Sequence, residues 1–233
     1  MIIVDKALRQ KEEAGQPIRV GLIGAGYAGR GIAHQLLTPL PGMRLAAIAN
    51  RTVSKIQMLF DTANVETAKE VTTASQLNES ISAGQIAYTD DASLVTSSDQ
   101  IDVVVDATGQ VEFGTQLAIS AIEHGKHFIT SGAEVDSTLG PILKQRADRA
   151  GVVITGTDGD EPGVAMNLYR FVETIGYRPV MAGNIKGFID RYRTPETQRA
   201  FAEKMKQDAP MITSFADGTK LSMETCILAN ATG

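Results

Sequence analysis

The chain has 233 residues, a formal net charge of −5 and a hydrophobic fraction of 43%, ordinary values for a globular protein with room for one large or two small domains. It carries no basic block, which argues against nucleic acid or an anionic membrane surface as its main partner, and no apolar run nears the ~20 residues that span a bilayer. The opening MIIVDKALRQKEEAG is too short in its apolar part for a signal peptide, so a cytoplasmic enzyme is the expectation.

Val4 to Glu13 reads as a short charged helix on the outside of a sheet, ended by Gly15 and Pro17. Ile18 to Ile23 is a buried strand that stops at Gly24, and Ala28 to Leu37 is a helix with Ala28, Ile32 and Leu36 on its inner face. Between them, RVGLIGAGYAGRG sets Gly24, Gly26 and Gly29 at G-x-G-x-x-G spacing. Gly24 allows a tight turn, Gly26 leaves the backbone open to phosphates, and Gly29 lets helix pack close to strand. The helix N-terminus at Tyr27 and Ala28 offers free N–H groups to a pyrophosphate. A bare glycine triplet is a weak signal, but this one has its strand before and its helix after.

Pro39 to Gly42 closes the first helix, Leu45 to Ala49 is the second strand, and a helix runs from Val53 to about Thr62. The residue about 20 positions beyond the glycines faces the adenosine ribose in such a unit. Here it is Asn50, followed by Arg51 and Thr52. No Asp or Glu is there to bind the 2′-hydroxyl of NAD, whereas Asn50, Arg51 and Thr52 can donate to a 2′-phosphate. NADP is therefore the expected cofactor, with NAD possible.

Ser75 to Ala83 reads as a helix capped by Gly84, Ile86 to Thr89 as a short strand, and Asp90 and Asp91 as caps of a brief helix. Asp102 to Ala107 is a strongly buried strand, Phe113 to His124 a helix with Leu117, Ala118, Ala121 and Ile122 inward, and Lys126 to Thr130 another strand. A helix from Leu139 to Ala150 and a strand from Val152 to Thr155 follow. Strict alternation of strand and helix predicts an α/β fold, a Rossmann-type doubly wound parallel sheet over residues 1–157. At its carboxyl edge, Ala107, Thr108 and Gly109 after one strand, and Ser131 and Gly132 after the next, are expected to line the nicotinamide side. Glu134 reads equally as a member of that edge and as a helix-capping carboxylate.

From Gly156 on the pattern changes. Pro162 to Ile175 is a helix with Val164, Leu168, Val172 and Ile175 inward, Pro179 to Phe188 reads as a strand, Pro195 to about Lys206 is a helix capped by Thr194, and a last helix runs from about Gly218 towards Ala231. Residues 158–233 thus form a partial α+β catalytic or dimerisation domain that needs a partner surface and is expected to be truncated at its C-terminus. Cys226 excludes an intrachain disulfide and reads as a buried, inert thiol. The histidines His34, His124 and His127 have no metal-ligand company, read as structural or surface residues, and no metal is assigned.

The segments VGLIGAGYAGRG, VVVDATG, GKHFITSGAEVD, TGTDGDEPG and FADGTKLSMETCILANATG together resemble the homoserine-dehydrogenase-like oxidoreductases, most of all the branch with the 1-deoxy-D-xylulose 5-phosphate reductoisomerase-like enzymes. The resemblance covers nearly the whole chain. It implies a Rossmann domain followed by a catalytic and dimerisation domain, NAD(P) as hydride carrier, and a longer parent chain. Two departures separate the chain from homoserine dehydrogenases in general: Gly132 and Ala133 stand where those carry Asn-Lys, and Lys220 precedes Glu224 where an acidic residue precedes the lysine.

Lys220 and Glu224 lie four apart on one helix face, where an exposed pair contributes only a few tenths of a kcal/mol, ~0.2–0.5. In a closed site such a lysine can protonate or steady the alkoxide formed at a carbonyl carbon. Lys220 is read as that group with Glu224 orienting it; Lys186 and Asp160 are read as substrate ligands, and Glu161 as a helix cap. The expectation is an NADP-preferring oxidoreductase acting on the carbonyl or hydroxyl of a small polyhydroxylated or phosphorylated substrate, assembled as a homo-oligomer. Homoserine dehydrogenase is the alternative enzyme, and a non-catalytic dinucleotide-binding sensor the alternative class.

Overall fold

Runs of Val, Ile, Leu and Ala too apolar to face water on either side build the centre of the protein. The computed structural model describes residues 4–233. Its first part alternates α1 (Asp5–Glu13), β1 (Ile18–Ile23), α2 (Tyr27–Leu37), β2 (Met43–Ala49), α3 (Val53–Ala63), β3 (Ala68–Glu70), α4 (Ala74–Ser82), β4 (Ile86–Thr89), α5 (Ala92–Ser97), β5 (Val103–Asp106), α6 (Val111–Glu123), β6 (His127–Thr130), α7 (Ala133–Ala150) and β7 (Ile154–Gly156). The seven strands are all parallel in the order β3-β4-β2-β1-β5-β6-β7. The fold is α/β of the NAD-binding Rossmann type.

Successive residues along the central strands point to opposite faces, and the two faces carry separate cores. Val20, Leu22, Ile48, Val103 and Val105 pack with Ile56 and Phe60 of α3 on one side. Ile23, Ala47, Val104 and Phe128 pack with Leu77, Leu117 and Leu143 on the other. The sheet order turns at β1, flanked by β2 and β5, so the crevice of the switch point opens beyond Gly24 and Ala107.

The glycine turn is packed as the spacing requires. Gly24 has φ 108°, and a Cβ there would stand 2.9 Å from the Ala107 carbonyl oxygen. A Cβ on Gly29 would collide with the Gly24 carbonyl oxygen, whereas one on Gly26 would meet nothing within 4 Å. Gly29 and Ala33 are the buried residues of α2; Ala28, expected inward, is exposed, because the closest approach to the strand falls one position later.

Other expectations shift for physical reasons. The short strand β3 escapes a sequence reading because its three residues AKE are half-buried or exposed. The helix expected from Leu139 begins at Ala133 and runs through Pro141. Proline cannot donate to the carbonyl four residues back, here that of Ser137; the Cys226 thiol donates to it instead, at 3.6 Å. Cys226 is itself exposed, not buried.

Beyond β7 the chain is helical: α8 (Glu161–Thr174), α9 (Pro195–Met205), α10 (Ala209–Asp217) and α11 (Thr219–Thr232). Thr194 caps α9 in a full capping box with Thr197. Gly218, at φ 94°, separates α11, expected from about this residue, from α10, where the sequence predicts no element. α11 packs on α7, α8 and α10. The strand expected over Pro179 to Phe188 does not form: this stretch joins no ladder among the described residues, since a strand needs a hydrogen-bonded neighbour and β7 pairs only with β6. The face of α8 expected inward is largely uncovered, with Val164, Leu168 and Ile175 exposed and Val172 half-buried, and Phe171 beside it is exposed too.

Gly29→Ala is expected to destabilise the protein by at least ~2 kcal/mol, because helix and strand must separate. Gly31→Ala, with open space at its Cβ, is expected to gain roughly 0.5–1 kcal/mol. Urea unfolding midpoints at constant m-value check both.

Candidate active site

The crevice is held in shape by Asn50. Its Oδ1 accepts from the Ala25 backbone N–H and its Nδ2 donates to the Thr52 carbonyl, both at 2.9 Å, so one side chain clamps the glycine turn to the end of β2. Asn50 thus uses its carbonyl oxygen and one amide hydrogen within the loop, and Arg51 and Thr52 beside it are both exposed. Thr52 precedes α3 without a side-chain cap bond. Tyr27 and Ala28 lie exposed at the start of α2 beside the open face of Gly26, where free backbone N–H groups suit an anion. The cradle fits a dinucleotide pyrophosphate, since the space a Gly26 side chain would fill is clear.

On the other side of the switch point, the Thr108 N–H and hydroxyl donate to Asp106 Oδ1 at 2.9 and 2.7 Å. Asp106 is buried; burial pushes its pKa above the ordinary value, the Thr108 hydrogen bonds oppose that, and nearby Glu134 adds to the rise. Ser131 N–H donates to the Asp106 carbonyl at 2.9 Å, and the Thr130 hydroxyl to the Gly132 carbonyl at 3.0 Å. These bonds fix Ala107, Thr108, Gly109, Ser131 and Gly132 as neighbours along one edge. From α10, Met211 reaches over this edge, its Cε 3.4 Å from a Cβ position on Gly109.

Next to the edge, four separate segments bring charge together. Lys220 Nζ of α11 meets Glu134 Oε1 of α7 at 3.1 Å, with side chains 9% and 11% exposed. Lys186, on the irregular stretch after α8, donates to Glu161 at the start of α8 and lies 3.1 Å from Glu224 Oε2 of α11. Asn184 Nδ2 also donates to Glu224. The carboxylates of Asp160, Glu161 and Glu224 have oxygens within 4.8 Å of one another, the kind of trio that can hold a divalent cation, with the Lys186 ammonium paired to two of its three members.

Asp160 and Glu161 are neighbouring carboxyls that share a hydrogen bond. Burial and the neighbouring Glu161 carboxyl push Asp160 up to about 6, against a pull downward from Lys220. Glu161 is held down at about 2 by its hydrogen bonds with Asp160 and Lys186. Burial works against the charge on Lys186, but Glu161 and Glu224 together keep its pKa above the ordinary value. A carboxyl that keeps its proton in mildly acidic solution, two ammonium groups and three carboxylates are thus brought close to one another.

The structure gathers Lys220, Glu224, Lys186 and Asp160 as expected but pairs them differently. Lys220 and Glu224 share the buried stripe of α11 with Leu228, yet Lys220 bonds Glu134 and Glu224 bonds Lys186 and Asn184. Glu224 therefore does not orient Lys220. Neither Asp160 nor Glu161 caps α8 with its side chain; Glu161 pairs with Lys186 instead. Asn184 is the residue to which the sequence assigns no role, and for Glu134, read as an edge residue or a helix cap, the sequence does not point to the pairing with Lys220. The only signal for Glu134 was a carboxylate in the first turn of a helix at the sheet's carboxyl edge, and its partner lies 86 residues away.

Both parts of the chain match oxidoreductase domains. Residues 18–131 match the oxidoreductase family NAD-binding Rossmann fold, and residues 159–233 match the catalytic domain of oxidoreductase DRL. A homoserine dehydrogenase of Methylobacillus glycogenes is 35% identical over 116 residues, which are 50% of this chain and 25% of that protein. A homoserine dehydrogenase structure from Thiobacillus denitrificans superposes with a TM-score of 0.51 at 23% identity, over 68% of this chain and 34% of its own, and an NAD binding oxidoreductase from Klebsiella pneumoniae with a TM-score of 0.49 at 20% identity, over 69% and 39%. The chain spans less than half the length of these relatives. None of the described helices is long and apolar enough to cross a membrane.

Because the folded pKa of Asp160 lies above its ordinary 3.8, Asp160 favours the folded state fully below pH 3.8 and loses that contribution as pH rises through 6. Asp160→Asn is expected to flatten the stability profile across this window, read from urea midpoints against pH. Lys186→Met is expected to let Glu161 rise from about 2 towards its ordinary 4.5, as followed by carboxyl-carbon NMR.

Proposed function

We propose that the protein is an NAD(P)-dependent oxidoreductase, NADP-preferring, that moves a hydride between the nicotinamide and a carbonyl or hydroxyl of a small polyhydroxylated or phosphorylated substrate. The observation that carries this reading is the assembly of Lys220, Lys186, Asp160 and Glu224 beside the carboxyl edge of a Rossmann sheet whose glycine cradle is open. When bound, the dinucleotide supplies or accepts the hydride. Lys220 is the proton donor or oxyanion stabiliser at the substrate oxygen, a role suited to an ammonium shielded from water. Glu134 positions it. Lys186, fixed by Glu224 and Asn184, and Asp160, protonated up to about pH 6, hold substrate oxygens.

The preference for NADP is supported by the lack of an acidic residue at the end of β2 and by the exposed Arg51, which can pair with a 2′-phosphate and stack on adenine. The division at about residue 157, into a Rossmann domain and a partial catalytic and dimerisation domain, fits the end of β7 at Gly156. Assembly as a homo-oligomer, and a cytoplasmic setting, are part of the same reading; the uncovered apolar face of α8 supports the former. The reductoisomerase-like branch is favoured over homoserine dehydrogenase by Gly132 and Ala133 and by the order of Lys220 and Glu224. The 35% identity to a homoserine dehydrogenase keeps homoserine as the second substrate to test, by NADP reduction.

Arg51→Ala is expected to weaken NADPH binding about tenfold, or ~1.4 kcal/mol, while leaving NADH within about twofold, by fluorescence titration. Lys220→Ala is expected to lower turnover with a carbonyl substrate at least ~100-fold, measured at saturating NADPH. Full turnover in that variant would overturn the role of Lys220.

A further inference from the structure

Glu134 has one oxygen to spare. Its Oε1 holds Lys220, while Oε2 is buried and has no hydrogen-bond partner among the described residues. A buried carboxylate oxygen is an acceptor only and is costly to leave unmatched. Its surroundings say which side it faces. A Cβ on Gly132 would collide with Oε2 and would stand 3.9 Å from the Gly109 Cα. The oxygen thus lies by the edge formed by Gly109 and Gly132, on the far side of the switch point from Asn50 and Arg51. Gly132, at φ −120°, needs no glycine for its backbone; what the missing side chain leaves is room for this carboxylate.

We propose that Glu134 is a cofactor-binding residue as well as the anchor of Lys220: Oε2 accepts a hydrogen bond from a hydroxyl of the nicotinamide ribose. The inference rests on the reading of the crevice as a dinucleotide site. With the glycine turn taking the pyrophosphate and Arg51 the adenosine ribose, the second ribose falls at the Gly109–Gly132 edge, and its hydroxyls are the donors a carboxylate requires. One carboxylate then touches both ligand and lysine, so that a filled ribose site and a correctly placed Lys220 Nζ depend on the same side chain.

Isothermal titration with three probes tests this: NADP+, 2′-phospho-ADP-ribose, which keeps the second ribose without nicotinamide, and adenosine 2′,5′-bisphosphate, which lacks that ribose. Glu134→Gln has a single acceptor oxygen and cannot serve both partners. It is expected to bind the first two roughly tenfold more weakly, as for loss of a charge-assisted hydrogen bond, and the third within about twofold. Gly132→Ala, which displaces the carboxylate while keeping its charge, is expected to show the same pattern and decides the matter if Glu134→Gln does not fold. Unchanged affinity for all three probes, a loss confined to NADP+, or an equal loss on all three would overturn the proposal. If the unaltered protein binds none of the three, the dinucleotide reading itself fails, a result distinct from each of these.

Discussion

The contact between Lys220 and Glu134 is the one on which the arrangement of the site depends. Both side chains are about nine-tenths buried, and taking either partner away would leave a single charge away from water, a change that costs roughly 3–5 kcal/mol. The pair joins α11 to the first turn of α7, at the edge of the sheet. Of the residues of α11, only Lys220, Glu224 and Leu228 are buried, so two of its three inward positions are charged. Helices usually dock through apolar stripes; this one docks through ion pairs whose partners come from α7 and from the stretch after α8. Apolar replacement of such pairs often preserves or raises stability, so stability alone does not account for charge at these positions.

Two further polar tethers shape the crevice, one on each side of the switch point. Asn50 joins the glycine turn to the end of β2, and Asp106 gathers the Thr108 turn at the end of β5. Two short polar side chains therefore hold the loops on either side of the switch point in shape, while the glycines keep the floor between them free of side chains. Rigid strands hold the dinucleotide end. The charged cluster is held by segments from four places in the chain and has fewer backbone constraints, as the irregular path around Lys186 illustrates.

The sheet was legible because its signals are local. Buried strands such as Val103–Asp106 announce themselves as apolar runs, and the glycine triplet has a fixed geometry that Gly24 and Gly29 fulfil atom by atom. The pairing of charges was not legible, since Lys220 had carboxylates available at four residues' distance and at eighty-six, and helical spacing points to the nearer one. The packing of α11 on α7 brings the farther one to Lys220, while Glu224 is taken by Lys186 and Asn184. The segment 179–188 misled for a related reason: its β-branched and apolar residues match a strand in composition, but a ladder is a property of two segments. α8 has a helical apolar stripe, and periodicity reveals that a face is apolar without revealing whether anything lies on it.

That bare stripe bears on the chemistry at its N-terminal end. Glu161, its first residue, has a side chain 43% exposed, and Lys186 one 18% exposed, so water still reaches the charged cluster from the outer side. Any layer that covers Val164, Leu168 and Phe171 lowers the effective dielectric constant around these groups and lengthens the reach of every charge among them. The acid–base balance of the cluster is thereby tied to the state of a surface that carries no charge of its own.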